Sequence, residues 1–245
     1  MLKRFFTAVT LVAVVFAAAA LWLTRPGRVD TAEFASLTGD AAAGETVYWA
    51  AGCASCHANK DDKTRTILSG GYRIVSDFGT FVSPNISPDP DHGIGRWSLT
   101  DFANAMLEGT TPGGTHYYPA YPYSSYARME PQDLVDLWAF LQTLPPSATP
   151  SARHELSFPF NIRLSIGGWK LLFFNDDWVG PADNEQLARG RYLVEALGHC
   201  AECHTPRNAL GGLDTSRWMA GAPNPSGKGR IPGLTPSQLK WSAGD

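Results

Sequence analysis

The 245-residue sequence predicts an all-α fold, with two small helical units in tandem behind an N-terminal hydrophobic helix. Three observations carry that expectation: an uninterrupted apolar run close to residue 1, apolar residues at helical spacing between residues 101 and 141, and a five-residue cysteine–histidine pattern that occurs twice. The length suits about one or two domains. With 44% apolar and 18% charged residues, the composition is that of a folded chain rather than a disordered or collagen-like one. The formal net charge is −3; residues 1–28 hold four cations and no acid, and the remainder carries −7. That balance argues against a nucleic-acid partner.

The first element follows Lys3 and Arg4. Phe5 to Leu23 contain no charge, no proline and no glycine, and at about 1.5 Å per residue the run is just long enough for a ~30 Å hydrocarbon layer. Two readings of residues 1–28 stand side by side. As a membrane anchor, Lys3 and Arg4 stay cytoplasmic and Trp22 sits at the far interface. As a signal peptide, Ala18-Ala19-Ala20 is the small-residue cleavage site. Either way the rest of the chain is exported to the periplasm, and under the first reading residues 5–23 hold it to the inner membrane.

Export makes disulfides the default for cysteines, but the spacing opposes it. All four fall in two copies of one pattern, Cys53-Ala54-Ser55-Cys56-His57 and Cys200-Ala201-Glu202-Cys203-His204. This is the attachment signal of c-type haem. Two thiols three residues apart reach the two vinyl groups of one porphyrin, and the adjacent histidine offers its ring to iron. Neither a zinc ribbon nor a thioredoxin-like pair requires that histidine. The expectation is two covalently bound haem c groups, with a zinc site built from the four thiolates as the alternative. His92, His116, His154 and His199 are taken as surface or structural residues, His116 being the one to consider as a further iron ligand.

The surroundings of the two motifs repeat as well. Ala43-Gly44-Glu45, Val47 and Tyr48 precede the first, and Arg189-Gly190-Arg191-Tyr192 and Val194 the second, with Gly52 and Gly198 just before each haem turn. Pro84-Asn85-Ile86-Ser87-Pro88 and Trp97-Ser98 match Pro232-Gly233-Leu234-Thr235-Pro236 and Trp241-Ser242. In the first unit, Asp101 to Glu108 places Phe102, Ala105 and Met106 on one helical face, with Gly109 as a stop. Pro131 opens a second helix on which Leu134, Leu137, Trp138 and Leu141 recur at amphipathic spacing before Pro145-Pro146. The proline-rich stretch 144–160 is a linker. Ile162 to Phe174 is apolar but too short to span a bilayer, and is expected to pack between the two units, with a membrane- or partner-facing patch as the alternative. The second unit ends at Asp245, the counterpart of Asp101, so it is expected to be incomplete and the sequence a fragment.

With these pieces placed, the chain resembles the c-type cytochrome subunits of bacterial membrane-bound alcohol and gluconate dehydrogenases over residues 40–245. The residues that carry the resemblance are Cys53-x-x-Cys56-His57, Pro84-Asn85-Ile86-Ser87-Pro88, Gly93-Ile94-Gly95-Arg96-Trp97-Ser98, Tyr118-Pro119-Ala120-Tyr121-Pro122-Tyr123 and Phe140-Leu141. The resemblance implies tandem class I cytochrome c-like domains: 40–146 as domain 1, 147–182 as linker and apolar packing segment, and 183–245 as domain 2. It also implies that Gly44 on the first helix packs against Phe140 on the last. Two departures stand out: Tyr121 occupies a position that is often Met in such sequences, and related chains often carry three haem motifs.

Beyond Met1, the methionines available as sixth ligand are Met106, Met129 and Met219. Met106 shares a face with Phe102 and is expected in the core. Met219 follows His204 too soon for a distal ligand. Met129 lies in a loop ahead of the Pro131 helix and is the expected partner of His57. Its counterpart in the second unit would fall about 28 residues past Asp245. Tyr117, Tyr118, Tyr121, Tyr123 and Tyr126 are expected to wall a haem crevice.

The function implied is transfer of single electrons from a periplasmic or membrane-bound dehydrogenase to the quinone pool or a terminal oxidase, with no catalytic residue in this chain. A di-haem cytochrome c peroxidase-like enzyme with one open haem site fits the two motifs equally well, and a zinc-stabilised interaction module is a third class.

Overall fold

The computed structural model describes residues 1–225 and 227–241. Helix α1, Leu2–Leu23, stands apart with no buried residue, and the Thr24 hydroxyl closes it by donating to the Ala20 carbonyl at 2.7 Å. A 3₁₀ turn, Thr31–Phe34, then leads into α2, Ala41–Ala50, whose free amides at Ala42 and Ala43 are capped by the Asp40 carboxylate. Gly52, in the left-handed region at φ +66°, reverses the chain into α3, Cys53–His57.

A hairpin of β1, Arg73–Ser76, and β2, Gly79–Val82, follows. Next come α4, Leu99–Glu108, opened by a Ser98/Asp101 capping box and closed by Gly109 at φ +56°, and the short α5, Tyr123–Tyr126. Helix α6, Pro131–Leu141, starts on proline as its sequence predicts. The apolar stripes of α4 and α6 turn inward: Phe102, Ala103, Met106, Leu134, Leu137 and Leu141 are buried together with Val47 and Tyr48 of α2. At the centre, α2 and α6 cross so closely that Gly44 touches Asp136 and Phe140, with the Tyr48 and Phe140 rings 5.2 Å apart.

Residues 144–160 are connecting chain, but laid along the first unit. Asn85 Nδ2 donates to the carbonyls of Ser147 and Thr149, Val82 N–H donates to His154 Nδ1 at 3.1 Å, and β3, Glu155–Leu156, pairs antiparallel with β2. The molecule is therefore mostly helical, with a small sheet that the all-α expectation missed.

Helix α7, Ser165–Phe173, occupies the apolar stretch. Its inner face meets both sides: Lys170 donates to the Gly109 carbonyl at 3.0 Å, and the Trp169 indole donates to Leu210 O at 3.0 Å. Helix α8, Glu185–Arg191, runs into a π-helical turn, Tyr192–Leu197. Then come α9, Ala201–His204, a 3₁₀ turn, Thr215–Arg217, a ribbon of β4, Ala222–Pro223, with β5, Arg230–Ile231, and α10, Pro236–Leu239. Tyr192, Ala196 and Leu197 join the same apolar core as Phe102 and Leu134. Ser242 and Asp245, the counterparts of Ser98 and Asp101, lie outside the described residues.

Candidate haem sites

Each Cys-x-x-Cys-His segment forms one short helical turn, α3 or α9, and none of the four thiols is in a disulfide. The histidine that ends each turn is fixed from behind. His57 Nδ1 lies 2.8 Å from the Pro84 carbonyl, and His204 Nδ1 lies 2.8 Å from the Pro232 carbonyl. A carbonyl oxygen only accepts, so Nδ1 carries a proton in both rings, and in the neutral ring the lone pair lies on Nε2. Burial holds the His57 ring below its ordinary pKa, which favours that neutral form.

The frame around each histidine repeats bond for bond. Gly70 N–H donates to His57 O and Gly221 N–H to His204 O; Ile86 N–H donates to Leu68 O and Leu234 N–H to Met219 O. Gly70 and Gly221 both adopt positive φ, at +71° and +80°, and a β-carbon on either would press into the backbone beside the proline carbonyl. The proline matches seen in sequence thus serve to seat the histidines. The frame also places Met219, which is buried, where the first unit has Leu68.

The donor set fits covalent haem. Two unpaired thiols and an imidazole held in the Nδ1–H tautomer are what thioether attachment and axial ligation require. Around the first motif, Leu68, Ile86, Ile94, Trp97, Leu99, Tyr121, Tyr126 and Met129 share one apolar cluster with Cys53 and Ala54. Burial pushes the Cys53 thiol up to about 12. Met106 is buried as expected, and the Tyr121 hydroxyl donates to its sulfur at 2.6 Å. The Tyr121 and Tyr126 rings lie 5.9 Å apart, tilted at 59° to each other, and the Tyr126 hydroxyl donates to Ala51 O at 2.8 Å.

His116 does something else. It is buried beside α1, where Nε2 donates to the Thr24 carbonyl at 2.9 Å, leaving that nitrogen committed to the backbone. His92 bonds Asp89, and His154 accepts from Val82 N–H.

The two motifs are neighbours. Burial raises the Cys56 thiol above its ordinary pKa, and the nearby Cys203 thiol adds to the rise. The His199 ring, before Cys200, packs edge-on against Tyr126 at 5.7 Å. Glu202, between the second pair of cysteines, accepts from the Ser124 and Ser125 hydroxyls of α5 and pairs with Arg207. Sequence reasoning missed this join, because Glu202 at the variable position of a haem motif carries no local signal.

Comparison with known proteins agrees with this geometry. The cytochrome c family model matches residues 41–145, from the start of α2 to just past α6. Over its full length the chain is 56% identical to a diheme c-type cytochrome of Cereibacter sphaeroides, covering 83% of that protein. It is 41% identical to the fructose dehydrogenase cytochrome subunit of Gluconobacter japonicus, over 76% of this chain and 38% of that one. To the gluconate 2-dehydrogenase cytochrome c subunit of Pantoea cypripedii it is 35% identical, over 86% of this chain and 50% of that one. It thus spans half or less of the two dehydrogenase subunits. The seating of the histidines, the crossing at Gly44 and these matches converge: the chain belongs to the cytochrome c family.

Proposed function

We propose that the chain is a periplasmic di-haem electron-transfer subunit, with tandem cytochrome c-like domains and residues 5–23 as inner-membrane anchor. Cys53, Cys56 and His57 hold one haem c and Cys200, Cys203 and His204 the other, while Met129 completes the coordination of the first. The observation that carries this reading is the 2.8 Å contact from each motif histidine to a proline carbonyl, the same twice in one chain. Bound there, the iron supplies one-electron chemistry between its ferric and ferrous states. The protein's own task is to hold each imidazole in one tautomer and orientation, and to surround the first motif with Ile94, Trp97, Leu99 and the tyrosines that exclude water.

The donor is a periplasmic or membrane-bound dehydrogenase, and the acceptor the quinone pool or a terminal oxidase. The names of the relatives, cytochrome subunits of fructose, alcohol and gluconate dehydrogenases, support a partner of that kind. The join between the two motifs, with His199 packed on Tyr126 and Glu202 accepting from Ser124 and Ser125, supports passage of electrons between the two sites within one chain.

The test is haem stoichiometry with a functional readout. Denatured protein in alkaline pyridine should show two haems per chain, retained through acid-acetone extraction, and membranes containing the chain should reduce them when the donor dehydrogenase receives its substrate. Extractable haem, or zinc with no Soret band, overturns the assignment. Turnover of hydrogen peroxide by the reduced protein would favour the peroxidase reading.

A further inference from the structure

Helix α1 is joined to the folded unit without slack. The Thr24 carbonyl at its end accepts from His116 Nε2 at 2.9 Å, and Val29 N–H donates to Asn104 Oδ1 at 2.9 Å. Thr24 also lies against α7, so closely that a β-carbon at Gly167 would sit 2.4 Å from the Thr24 oxygen. Helix α7 therefore rests on the point where α1 ends.

The two faces of α7 differ. Ile166, Gly167 and Lys170 are buried, and Lys170, the one charge on the helix, is turned inward onto the carbonyls of Glu108 and Gly109. Leu164 and Leu171, seven residues apart and so on one side of the helix, are 61% and 59% exposed, and Leu172 beside them is 68% exposed. Phe158 and Ile162, in the chain leading to α7, are exposed too. An uncharged, leucine-rich helix face in water next to a 22-residue apolar helix calls for a cover.

We propose that this face, formed by Leu164, Leu171 and Leu172 with Phe158 and Ile162, lies in the headgroup–acyl boundary of the bilayer that α1 crosses, so that the chain touches the membrane at two places. The proposal rests on residues 5–23 being a retained anchor. A spanning helix that ends directly on the protein surface brings whatever packs on its last residue to the interface. Trp22, with the Arg25 guanidinium 4.9 Å over its ring, marks that level. Apolar side chains held there leave water for the acyl boundary, while α7, too short to span, lies along it. The second contact fixes the tilt of the folded unit, and with it the distance of both haem motifs from the lipid.

The test uses the full haem-loaded chain in vesicles of phosphatidylethanolamine and phosphatidylglycerol. Nitroxide labels are placed at Leu171→Cys or Leu172→Cys, with Val14→Cys in mid-α1 and Asp61→Cys in an exposed loop as references. Power saturation then compares access to oxygen, which concentrates in lipid, with access to a water-soluble nickel chelate. The expected result is oxygen-dominated access at residues 171 and 172, shallower than at 14 and opposite to 61. Nickel-dominated access at 171 and 172 with residue 14 in lipid overturns the proposal and leaves the anchor standing. Labels at 171 and 172 shielded from both reagents mean that a second copy or another protein covers the face, which also overturns it. An intact mass that begins after Ala20 removes the anchor reading and the proposal together.

Discussion

Gly44 lies against the main chain of Asp136, where a β-carbon would fall 1.9 Å from the carbonyl oxygen and 2.9 Å from Phe140 Cβ. Backbone cannot swing aside as a side chain can, so α2 and α6 must separate to admit even a methyl group. Gly44→Ala should therefore destabilise by about 3 kcal/mol or more, the upper end for overpacking, despite alanine's better helix propensity. Chemical denaturation of the holoprotein checks it; a change under about 1 kcal/mol would mean that the crossing yields without cost.

Met129 and Met106 are both buried, and their substitutions should separate a ligand from a packing residue. Met129→Ala should abolish the red charge-transfer absorption of methionine-ligated ferric haem and lower the potential of that haem. Met106→Ala should leave the spectrum intact and cost about 2–5 kcal/mol in stability. Loss of the absorption in Met106→Ala instead would reverse the two roles.

Met219 takes the place of Leu68 in the repeated frame, its carbonyl accepting from Leu234 N–H as Leu68 O accepts from Ile86 N–H. A residue that only packs tolerates a volume-conserving exchange. Met219→Leu should thus cost under about 1.5 kcal/mol and leave both haem spectra unchanged. A new high-spin signal in Met219→Leu would show that its sulfur is an iron ligand.

What could be seen in the sequence follows from how far apart the cooperating residues are. The haem motifs were plain because thioether chemistry needs its residues within five positions, and α4 and α6 because Ser98, Gly109 and Pro131 mark their ends locally. The hairpin leaves a weaker local signal, β-branched Ile74, Val75, Thr80 and Val82 around Asp77 and Gly79. The return of β3 to β2 left none, since it pairs residues about 75 apart. Met219 could not be aligned with Leu68 by counting, because the two lie at different distances from their histidines and only the hydrogen bonds bring them into register. His116 drew notice as a histidine near the tyrosines, but its partner, Thr24, is 92 residues away.

Lys170 gives the molecule a pH dependence with a defined sign. Burial lowers its pKa to about 8, against the ordinary 10.5 that the unfolded chain restores, with the Glu108 carboxylate opposing the drop. Between those values the unfolded chain holds one more proton, so rising pH favours the fold; the cost of the buried charge is fully present below pH 8 and fades towards 10.5. Relative to Lys170→Met, the wild type should gain about 1–2 kcal/mol over that window, a figure reduced for solvent screening. Parallel stability curves for the two proteins would show that Lys170 keeps its ordinary pKa.

Tyr192 ties the later segment to the first unit through its hydroxyl, which donates to Asp133 Oδ2 at 2.6 Å and accepts from Glu130 N–H at 3.2 Å. Burial, together with that carboxylate, holds the phenol well above its usual pKa and keeps it a donor. Glu130 is the residue before α6, where amides have no partner within the helix, so a tyrosine 62 residues on supplies the cap that the Glu130 side chain does not. Tyr192→Phe keeps the ring in the core but strands both groups, which should cost about 1–3 kcal/mol. The loss should fall at one place: amide exchange should quicken over residues 130–134 while the centre of α6, packed on α2, stays protected, and haem content should remain that of the wild type. If exchange there is unchanged and stability moves by less than about 0.5 kcal/mol, the start of α6 is held by the first unit alone, and the hydroxyl is a bystander to the contact between the two.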